Sequence, residues 1–585
     1  MKSAEFEKMG MLFRNVHAIG KKGRPFMDYV WMCEVDEKKS LKVGSTYRNS
    51  NRAKEFMFYI AEAERIKLRE ALASSKFLSV MSDSSTDSAV MEEELVYVRW
   101  ATAGKMEVRF VGIQSVDKPD ASHIAEAISS IMETVSGSED ETGQWLQKLV
   151  ACGTDGAAVM TGVKKGVVSQ LRGDRVEILG IHCMSHRLEL AYSDAVSHNK
   201  LARKVNDLLS GLYTFYHKSC VNRPNLRGSF EEIGMRHLMP TRIGGTRWVS
   251  HFLRALENFL KGYKGLVHHL EQAQSPGGAG NETQKAKARG FLHIMKDGAV
   301  IKFSCFLRDL LTQLSSLSLT MQRSSVTVAG VHDSLTSTMA LMLKYKSRIC
   351  RPGPWLKTVL GTNQYESVSL KPCDDHSLNQ SKDHLIDLLA KTMDNRFGNV
   401  SHGILRAMRI TNFRYWPEAD RNADFGDSDV QELITHFEPL LLRAGVKVEE
   451  VLDQWTVLKS RLYQDPSVLK NISWREVNQQ LGQDCPDILH VVDLILCIPA
   501  STADCERGFS AMKLVKSDWR ASLKNQTLSD LLTVQLSTVS ITDFDPVPAI
   551  KLWHVGSLRS RRPAFMEHRD QHRKDESDDE SCEDI

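Results

Sequence analysis

The chain has 585 residues, of which 42% are hydrophobic and 25% are charged, and its formal net charge is +3. At roughly 150 residues per domain the length allows about four domains, and the composition is that of an ordinary globular protein. These values exclude collagen, extensive disorder and a small disulfide scaffold. No uncharged apolar run reaches the roughly 18 residues of a membrane span, so we expect no membrane partner. The 11 scattered cysteines favour reduced thiols in a cytosolic or nuclear protein.

The first 74 residues predict a helical region, which is clearest over 56–72, where apolar residues recur at helical spacing. Residues 75–198 then alternate short β-type runs with helical patterns. The predicted strands lie at 77–81, 95–101, 107–116, 149–152 and 177–181. The second and third of these read as a hairpin, and the first ends in the polar, turn-rich cluster 82–87. This part of the chain therefore predicts a mixed α/β layer.

The remaining chain is predicted to be helical, with a charged tail. Residues 199–480 read as a helical insertion that is broken by two candidate mobile loops, 275–290 and 351–383. In 481–545, two helices carry apolar stripes on either side of a capping-box pattern, which predicts a helix that opens at Ser501. The stripes are Ile488, Val491, Val492 and Ile495, and Leu528, Leu531, Leu532 and Leu536. Residues 546–585 are basic and then acidic, and we expect a disordered tail.

Two aspartates follow predicted strands of the α/β layer. Asp83 is placed at the end of the first strand and Asp155 at the end of a later one. Carboxylates at one edge of a sheet can share Mg²⁺ or Mn²⁺ ions, and a metal pair stabilises the attacking and leaving oxygens of phosphoryl transfer. By spacing alone, an aspartate in such a turn more often serves local hydrogen bonding.

Five short segments of the sequence, taken in their order along the chain, resemble those of a known protein family. They are D-S-S-T-D (83–87), C-G-T-D-G (152–156), C-M-S-H (183–186), T-R-W (246–248) and I-P-A-S-T-A-D-C-E-R-G-F-S (498–510). Together they resemble the hAT (hobo/Ac/Tam3) superfamily of DNA transposases and the vertebrate proteins derived from it, over about residues 40–540. The last segment resembles the hAT C-terminal dimerisation region. The resemblance implies a ribonuclease-H-like mixed-sheet core, interrupted by a large helical insertion and closed by C-terminal helices.

The resemblance also implies a DDE-type catalytic site. Asp83, Asp155 and Glu506 match the family's catalytic carboxylates and would bind Mg²⁺ (or Mn²⁺). The implied chemistry is cleavage of a phosphodiester by water, followed by strand transfer from a DNA 3′-hydroxyl. Ser85 replaces the tryptophan that is usual in the first segment. Without the motif, Glu506 would be read as a solvent-facing residue in the second turn of a capped helix.

Three further residues match positions that contact DNA in the family. His186 would position DNA or the metal-bound water, and Arg247 and Trp248 would act at the hairpin step. A tryptophan face can stack on an unpaired base, which is worth about 1–3 kcal/mol per base. The alternatives are a satisfied histidine beside a buried Cys183, and a core tryptophan that anchors the next helix.

Three hypotheses of function remain open from the sequence. The first is a nuclear hAT-transposase-like enzyme that binds DNA and forms a homodimer or higher oligomer through its C-terminal region. The second is a domesticated, catalytically inactive nuclear protein that dimerises on DNA or chromatin. The third is a zinc-stabilised interaction scaffold built on Cys183, His186, His217 and Cys220. An intact acidic triad favours the first hypothesis. Ser85 and the lack of a zinc-finger pattern in residues 1–70 favour the second, and we expect a transposase body without its N-terminal sequence reader.

Overall fold

The computed structural model describes residues 3–87, 90–136, 144–244, 248–275, 280–346, 352–418, 424–464, 469, 471–517, 520 and 522–556. The strands are β1 (Leu78–Thr86), β2 (Glu92–Thr102), β3 (Lys105–Val116), β4 (Leu149–Thr154), β5 (Leu179–His182), β6 (Gln364–Tyr365) and β7 (Val368–Ser369). The helices before the insertion are α1 (Ser3–Lys21), α2 (Asp28–Lys38), α3 (Ser50–Ser74), α4 (Ala121–Glu133), α5 (Gln144–Gln147), α6 (Ala158–Thr161), α7 (Val167–Arg172) and α8 (Met184–Ser197).

The helices of the insertion are α9 (Lys200–His217), α10 (Asn222–Glu232), α11 (Trp248–Lys261), α12 (Tyr263–Gln274), α13 (Glu282–Met295), α14 (Gly298–Met321), α15 (Val328–Leu343), α16 (Pro354–Val359), α17 (Asp375–Phe397), α18 (Gly403–Ala407), α19 (Asp427–Arg443), α20 (Val451–Leu462) and α21 (Trp474–Leu481). The last helices are α22 (Pro486–Cys497), α23 (Ala503–Val515), α24 (Asn525–Ser537) and α25 (Val547–Gly556). Short 3-10 helices lie at Gly398–Ser401, Met408–Thr411, Phe413–Tyr415 and Val448–Glu450.

Five strands form one mixed sheet in the order β3-β2-β1-β4-β5. β1, β2 and β3 are antiparallel neighbours, whereas β4 is parallel to β1 and β5 is parallel to β4. The predicted mixed α/β layer and its hairpin are therefore confirmed. The order also places the ends of β1 and β4 side by side, because neighbouring parallel strands finish at the same edge of a sheet.

β1 is longer than the sequence predicted, and this changes the position of Asp83. The strand continues to Thr86, so Asp83 lies within it and is paired with Leu95 of β2. The polar cluster was expected to be a turn. It remains extended because the hydroxyls of Ser82 and Ser84 both donate to the carboxylate of Glu94 across the ladder. Cross-strand partners thus satisfy side chains that would otherwise favour a turn.

The two faces of the sheet pack against different sets of helices. Val80, Val96 and Val98 belong to a large core that also contains α4, α22 and much of the insertion. Alternate residues such as Met81 and Leu95 belong to a second core. That second core is built by helices from both ends of the chain, namely α1, α2, α3, α23, α24 and α25. The sheet is therefore covered on both faces by helices.

The N-terminal helical region and the C-terminal helices share one hydrophobic core. His17 Nε2 lies 2.8 Å from the hydroxyl oxygen of Thr538, and Lys21 donates to the backbone carbonyl of Gln535 at 2.9 Å. Arg65 of α3 pairs with Asp530 of α24 at 2.5 Å, and both side chains are buried. Residues 3–74 are thus packed onto the C-terminal helices and do not form a separate unit.

Part of the predicted disordered tail is a helix. Residues 547–556 form α25, and the Trp553 ring is buried against Phe56 with centroids 5.5 Å apart. Its indole nitrogen donates to Glu55 at 2.9 Å. A buried anchor of this kind orders a short helix that local sequence does not predict. Residues 557–585, which include the rest of the basic and acidic tail, lie outside the described residues.

The insertion is helical, as predicted, but its two breaks are shorter than expected. α13 begins at Glu282, inside the first predicted loop. The second contains α16 and the small β6–β7 ribbon, and α17 begins at Asp375. Within the described ranges, every helix is too short or too polar to cross a membrane.

Candidate functional site

Asp83, Asp155 and Glu506 are brought into electrostatic contact by three different elements. Asp83 lies in β1, Asp155 directly follows β4, and Glu506 is in the first turn of α23. Burial raises the pKa of the Asp83 carboxyl well above its usual value, and the nearby charges of Asp155, Glu94 and Glu506 raise it further. The fold thus brings Glu506 close to carboxylates that lie more than 300 residues earlier in the chain.

Glu94 is a fourth carboxylate at this site, and the sequence analysis missed it. It is fully buried on β2 and lies opposite Ser84. Burial raises the pKa of Glu94 to about 7, although hydrogen bonds from Ser82 and Ser84 act in the opposite direction, and the charge of Asp155 adds to the rise. The sequence feature that could have indicated Glu94 is a run of three glutamates, 92–94, directly before the predicted strand 95–101.

The C-M-S-H segment packs directly on the linker that precedes α23. The Met184 amide donates to the Ala500 carbonyl at 3.0 Å, and the Thr502 amide donates to Cys183 Sγ at 3.3 Å. The Cys183 amide in turn donates to the carbonyl of Thr154 at the end of β4, at 2.8 Å. Cys183 therefore joins the strand before Asp155 to the linker before Glu506, and its thiol is buried in that joint.

The start of α23 differs from the predicted capping box. The helix begins at Ala503, and Ser501 Oγ accepts a hydrogen bond from the Ala503 amide at 3.2 Å. Asp504 does not complete the capping box. Its carboxylate instead accepts a hydrogen bond from Ser324 Oγ at 2.9 Å and forms an ion pair with Arg507. Glu506 consequently lies in the first helical turn rather than the second. A carboxylate in this position is stabilised by the positive end of the helix dipole.

A pair of histidines lies beside Asp155. The rings of His182 and His186 are 5.7 Å apart. His182 was missed by the sequence analysis. A Cβ on Gly156 would lie 2.2 Å from its Nε2, so only glycine fits there. Burial lowers the pKa of His182 to about 4, and the charges of Arg187, His186 and Arg396 lower it further, so the ring is neutral at physiological pH.

The T-R-W segment lies at the edge of the described chain. Arg247 is outside the described residues, and Trp248 is the first residue of α11. The Val249 amide donates to Glu189 Oε2 of α8 at 2.8 Å, which fixes the start of α11 beside the helix that carries His186. The position of the Trp248 side chain lies outside the description, so both interpretations of this residue stay predictions.

The zinc hypothesis is not supported by the geometry. Within the described ranges, no group of three or more His, Cys, Asp or Glu side chains is placed so that it could hold a metal ion. The Cys183 thiol instead accepts a hydrogen bond from the Thr502 amide in the linker before α23. The same observation applies to the acidic cluster. Its carboxylates are close enough to repel one another, but they are not arranged as a preformed ligand set.

Comparison with protein families identifies the C-terminal part of the chain. A family model described as the hAT family C-terminal dimerisation region matches residues 449–537. The chain therefore carries the C-terminal dimerisation region of the hAT family, which supports a hAT-family transposase or a protein derived from one. The match includes the last of the five short segments, 498–510, and it supports self-association. It spans α20 to α24 and thus includes Glu506.

The predicted apolar stripes of this hAT region are not available to a partner. Ile488, Val491, Val492 and Ile495 are at most 2% exposed, and Leu528, Leu531 and Leu532 are completely buried. Leu536 alone among the stripe residues is partly exposed. α22 packs against β2 and α20, and α24 packs against α3 and β3, so the stripes form the interior of one chain. A contact of this region with a second copy would therefore use other residues.

Proposed function

We propose that this protein is a hAT-transposase-like enzyme that cleaves DNA phosphodiester bonds and transfers strands with divalent metal ions held by Asp83, Asp155 and Glu506. The observation that supports it most is the electrostatic interaction of Asp83 in β1 with Asp155 after β4 and with Glu506 of α23. Structural carboxylates usually pair with cations, whereas carboxylates gathered against one another at a strand edge are typical of metal chemistry.

The sheet supports the ribonuclease-H-like core that the family resemblance implies. Three antiparallel strands are followed by two parallel ones in the order β3-β2-β1-β4-β5. Asp83 and Asp155 come from the two adjacent strands in the middle of this order. Ligands of open α/β sheets bind outside the carboxyl ends of parallel strands, which is where Asp155 lies.

The donor set fits a hard cation. Asp83, Asp155 and Glu506 offer only oxygen ligands, which Mg²⁺ and Mn²⁺ prefer. When bound there, such ions would activate a water molecule and neutralise charge on the phosphate. The repulsion that raises the pKa of Asp83 would be relieved by a cation, so uptake of metal is expected to draw the carboxylates closer together.

The DNA contacts of this proposal lie around the start of α11. Arg242 and Arg254 are exposed on either side of the T-R-W segment. Arginines of this kind bind the phosphate backbone, while Trp248 would stack on an unpaired base and His186 would lie near the scissile phosphate. Trp248→Ala should then weaken binding of hairpin DNA with little change in stability. A core tryptophan would instead cost about 3–5 kcal/mol of stability.

Metal-dependent stabilisation combined with DNA nicking tests the proposal. Mg²⁺ or Mn²⁺ should raise the unfolding temperature of the wild type, and Asp155→Asn should abolish both this shift and the nicking of supercoiled plasmid. Asp207→Asn, an exposed aspartate on α9, is the matched control and should behave as the wild type. An equal metal response in wild type and Asp155→Asn would refute the catalytic site.

A second candidate function is a catalytically inactive protein that dimerises on DNA or chromatin in the nucleus. Ser85, where the family usually has tryptophan, favours it. In this case the wild type would bind DNA and self-associate, but would not nick plasmid with either metal. A fluorescent fusion of the full chain tests the nuclear localisation that both candidates require.

A further inference from the structure

The loop between α6 and α7 presents the most exposed large apolar side chain in the described part of the chain. Val163 is 91% exposed, and it is followed by Lys164 and Lys165, which are also exposed. Residues 162–166 are here called the Val163 loop. A single exposed valine is ordinary by itself, so its role depends on how the loop is held and on what lies beside it.

Hydrogen bonds and close backbone packing hold the Val163 loop in one conformation. The Gly166 amide donates to the Gly162 carbonyl at 2.8 Å. A Cβ on Gly166 would lie 2.4 Å from the Gly162 amide nitrogen, so only glycine allows the two ends of the loop to approach this closely. Ser169 and Gln170 of α7 donate to two further carbonyls of the loop at 3.0 and 3.1 Å. The exposed side chains are therefore carried by a fixed turn.

The Val163 loop is anchored beside the candidate metal site. Thr161 directly precedes the loop, and its hydroxyl donates to the carbonyls of Gly156 at 3.3 Å and Ala157 at 3.1 Å. The Ala157 amide in turn donates to the Asp155 carboxylate at 2.9 Å. A short chain of hydrogen bonds thus connects the start of the loop to Asp155, at the edge of the sheet where the candidate catalytic carboxylates lie.

The charge of this segment is entirely positive. Residues 156–173 contain two lysines and one arginine but no Asp or Glu. Within the described ranges, Lys164 and Lys165 form no ion pair with a carboxylate. Unpaired lysines beside a site for phosphodiester chemistry are typical of contacts with phosphates. DNA-binding proteins also place aliphatic side chains against a base step while neighbouring cations bind the backbone, which is the combination that this loop offers.

We propose that the Val163 loop binds DNA next to the scissile phosphodiester, with Lys164 and Lys165 on backbone phosphates and Val163 against the last stacked base pair. This rests on the proposed function for the identity of the partner. An aliphatic side chain that enters a base step partly unstacks it. Contact by Val163 would therefore favour an opened duplex beside Asp155, and the fixed turn means that little conformational entropy is lost on binding.

The salt dependence of DNA binding tests the two lysines. For duplex DNA, the logarithm of the association constant falls by about 0.9 per phosphate contact for each unit in the logarithm of salt concentration. Lys164→Ala combined with Lys165→Ala should therefore reduce the magnitude of this slope by about 1.8, as measured by the fluorescence anisotropy of a labelled duplex. Lys38→Ala combined with Lys39→Ala removes the same charge from adjacent exposed lysines at the end of α2, and should leave the slope unchanged.

Unstacking of a base tests Val163 independently of charge and of catalysis. A fluorescent adenine analogue beside a nick in the duplex brightens when its base is unstacked. The wild type should produce this rise, Val163→Ser should lose it, and Val176→Ser should keep it. Val176 is a matched control because it is 79% exposed but precedes β5, at the opposite end of the parallel strands from Asp155.

The possible outcomes separate the Val163 loop from the proposed function. Thermal unfolding verifies that each variant is folded. An unchanged salt slope in the lysine double variant, or an unchanged fluorescence rise in Val163→Ser, would overturn the loop contact, and nicking that is still abolished by Asp155→Asn would leave the proposed function intact. A wild type that shows both loop effects but never nicks DNA would support the loop contact and refute the enzyme. A wild type that does not bind DNA would overturn both.

Discussion

Arg507 reaches from α23 to Ser324, and its Nη2 donates to the hydroxyl oxygen of that residue at 2.7 Å. Its Nη1 donates to the carbonyl of Gln322 at 3.0 Å. Both acceptors lie in the loop between α14 and α15. A second arginine also binds this loop, because the buried guanidinium of Arg99 donates to the carbonyls of Ser324 and Val326. The residue next to Glu506 therefore ties the candidate catalytic helix to the helical insertion.

Replacing Arg507 tests whether its contacts with the insertion stabilise the folded protein. Arg507→Gln removes three charge-assisted hydrogen bonds, to Gln322, Ser324 and Asp504, from a partly exposed side chain, so we expect a loss of about 1–2 kcal/mol in the free energy of unfolding. Urea unfolding measures it. Arg414→Gln removes an arginine whose pair with Asp333 is exposed, and should cost less than about 0.5 kcal/mol. If the two variants are equally stable, the tie carries no stabilising energy.

A buried lysine links α23 to the strands of the site. Lys516 forms ion pairs with Asp87 and Glu93, and all three side chains are almost completely excluded from solvent. Lys516→Met would leave buried carboxylates without this cation, so we expect destabilisation by about 3–5 kcal/mol in urea unfolding. Lys513→Met, on the exposed side of the same helix, should change stability by less than about 0.5 kcal/mol.

A double variant distinguishes two causes of the destabilisation by Lys516→Met, namely unpaired buried carboxylates and lost packing of the lysine side chain. Adding Glu93→Gln to Lys516→Met removes one of the carboxylates and should recover part of the stability. A double variant as unstable as Lys516→Met alone would assign the loss to packing of the lysine stem.

The stability of the metal-free protein should fall as pH rises through the range in which Glu94 ionises. Its pKa rises from 4.5 in the unfolded chain to about 7 in the folded one, so the folded state binds the proton more tightly. The protonated form is thus favoured by folding, and stability declines between about pH 4.5 and 7. Glu94→Gln should flatten this decline by on the order of 3 kcal/mol, as measured by urea unfolding in chelator.

Glu107 provides a control of opposite sign for the pH experiment. A hydrogen bond from Lys105 lowers the pKa of this carboxyl, so its contribution to stability grows as pH rises. Glu107→Gln should therefore not flatten the decline. A wild type whose stability does not change between pH 4.5 and 7 would contradict the burial of an ionisable Glu94.

The end of the described chain should contribute strongly to stability. Trp553→Ala removes a buried ring that packs on Phe56, so we expect a loss of about 3–5 kcal/mol in thermal or urea unfolding. Val555→Ala, two residues further on and 81% exposed, should have almost no effect. Equal stability of the two variants would mean that α25 does not pack on α3 in solution.

The sequence predicted the elements whose signals are local. The hairpin of β2 and β3 and the helical insertion carry hydrophobic periodicity over short stretches of chain, and both are confirmed. The polar cluster 82–87 misled the prediction because serine and aspartate favour turns when considered alone. Glu94 keeps that segment extended, and its position opposite Ser84 follows only from strand register.

The sequence by itself indicated the hAT dimerisation region and selected Asp83, Asp155 and Glu506 as candidates for one site, because short segments in a fixed order can be recognised without knowledge of their spatial neighbours. Tertiary structure alone decided what those residues meet. It placed Glu506 in a first helical turn, added Glu94 to the cluster and buried both apolar stripes of the dimerisation region inside one chain. An apolar stripe predicts that a helix face is covered, but a partner chain and the same chain bury it equally well. Only the packing of α22 on β2 and of α24 on α3 distinguishes the two.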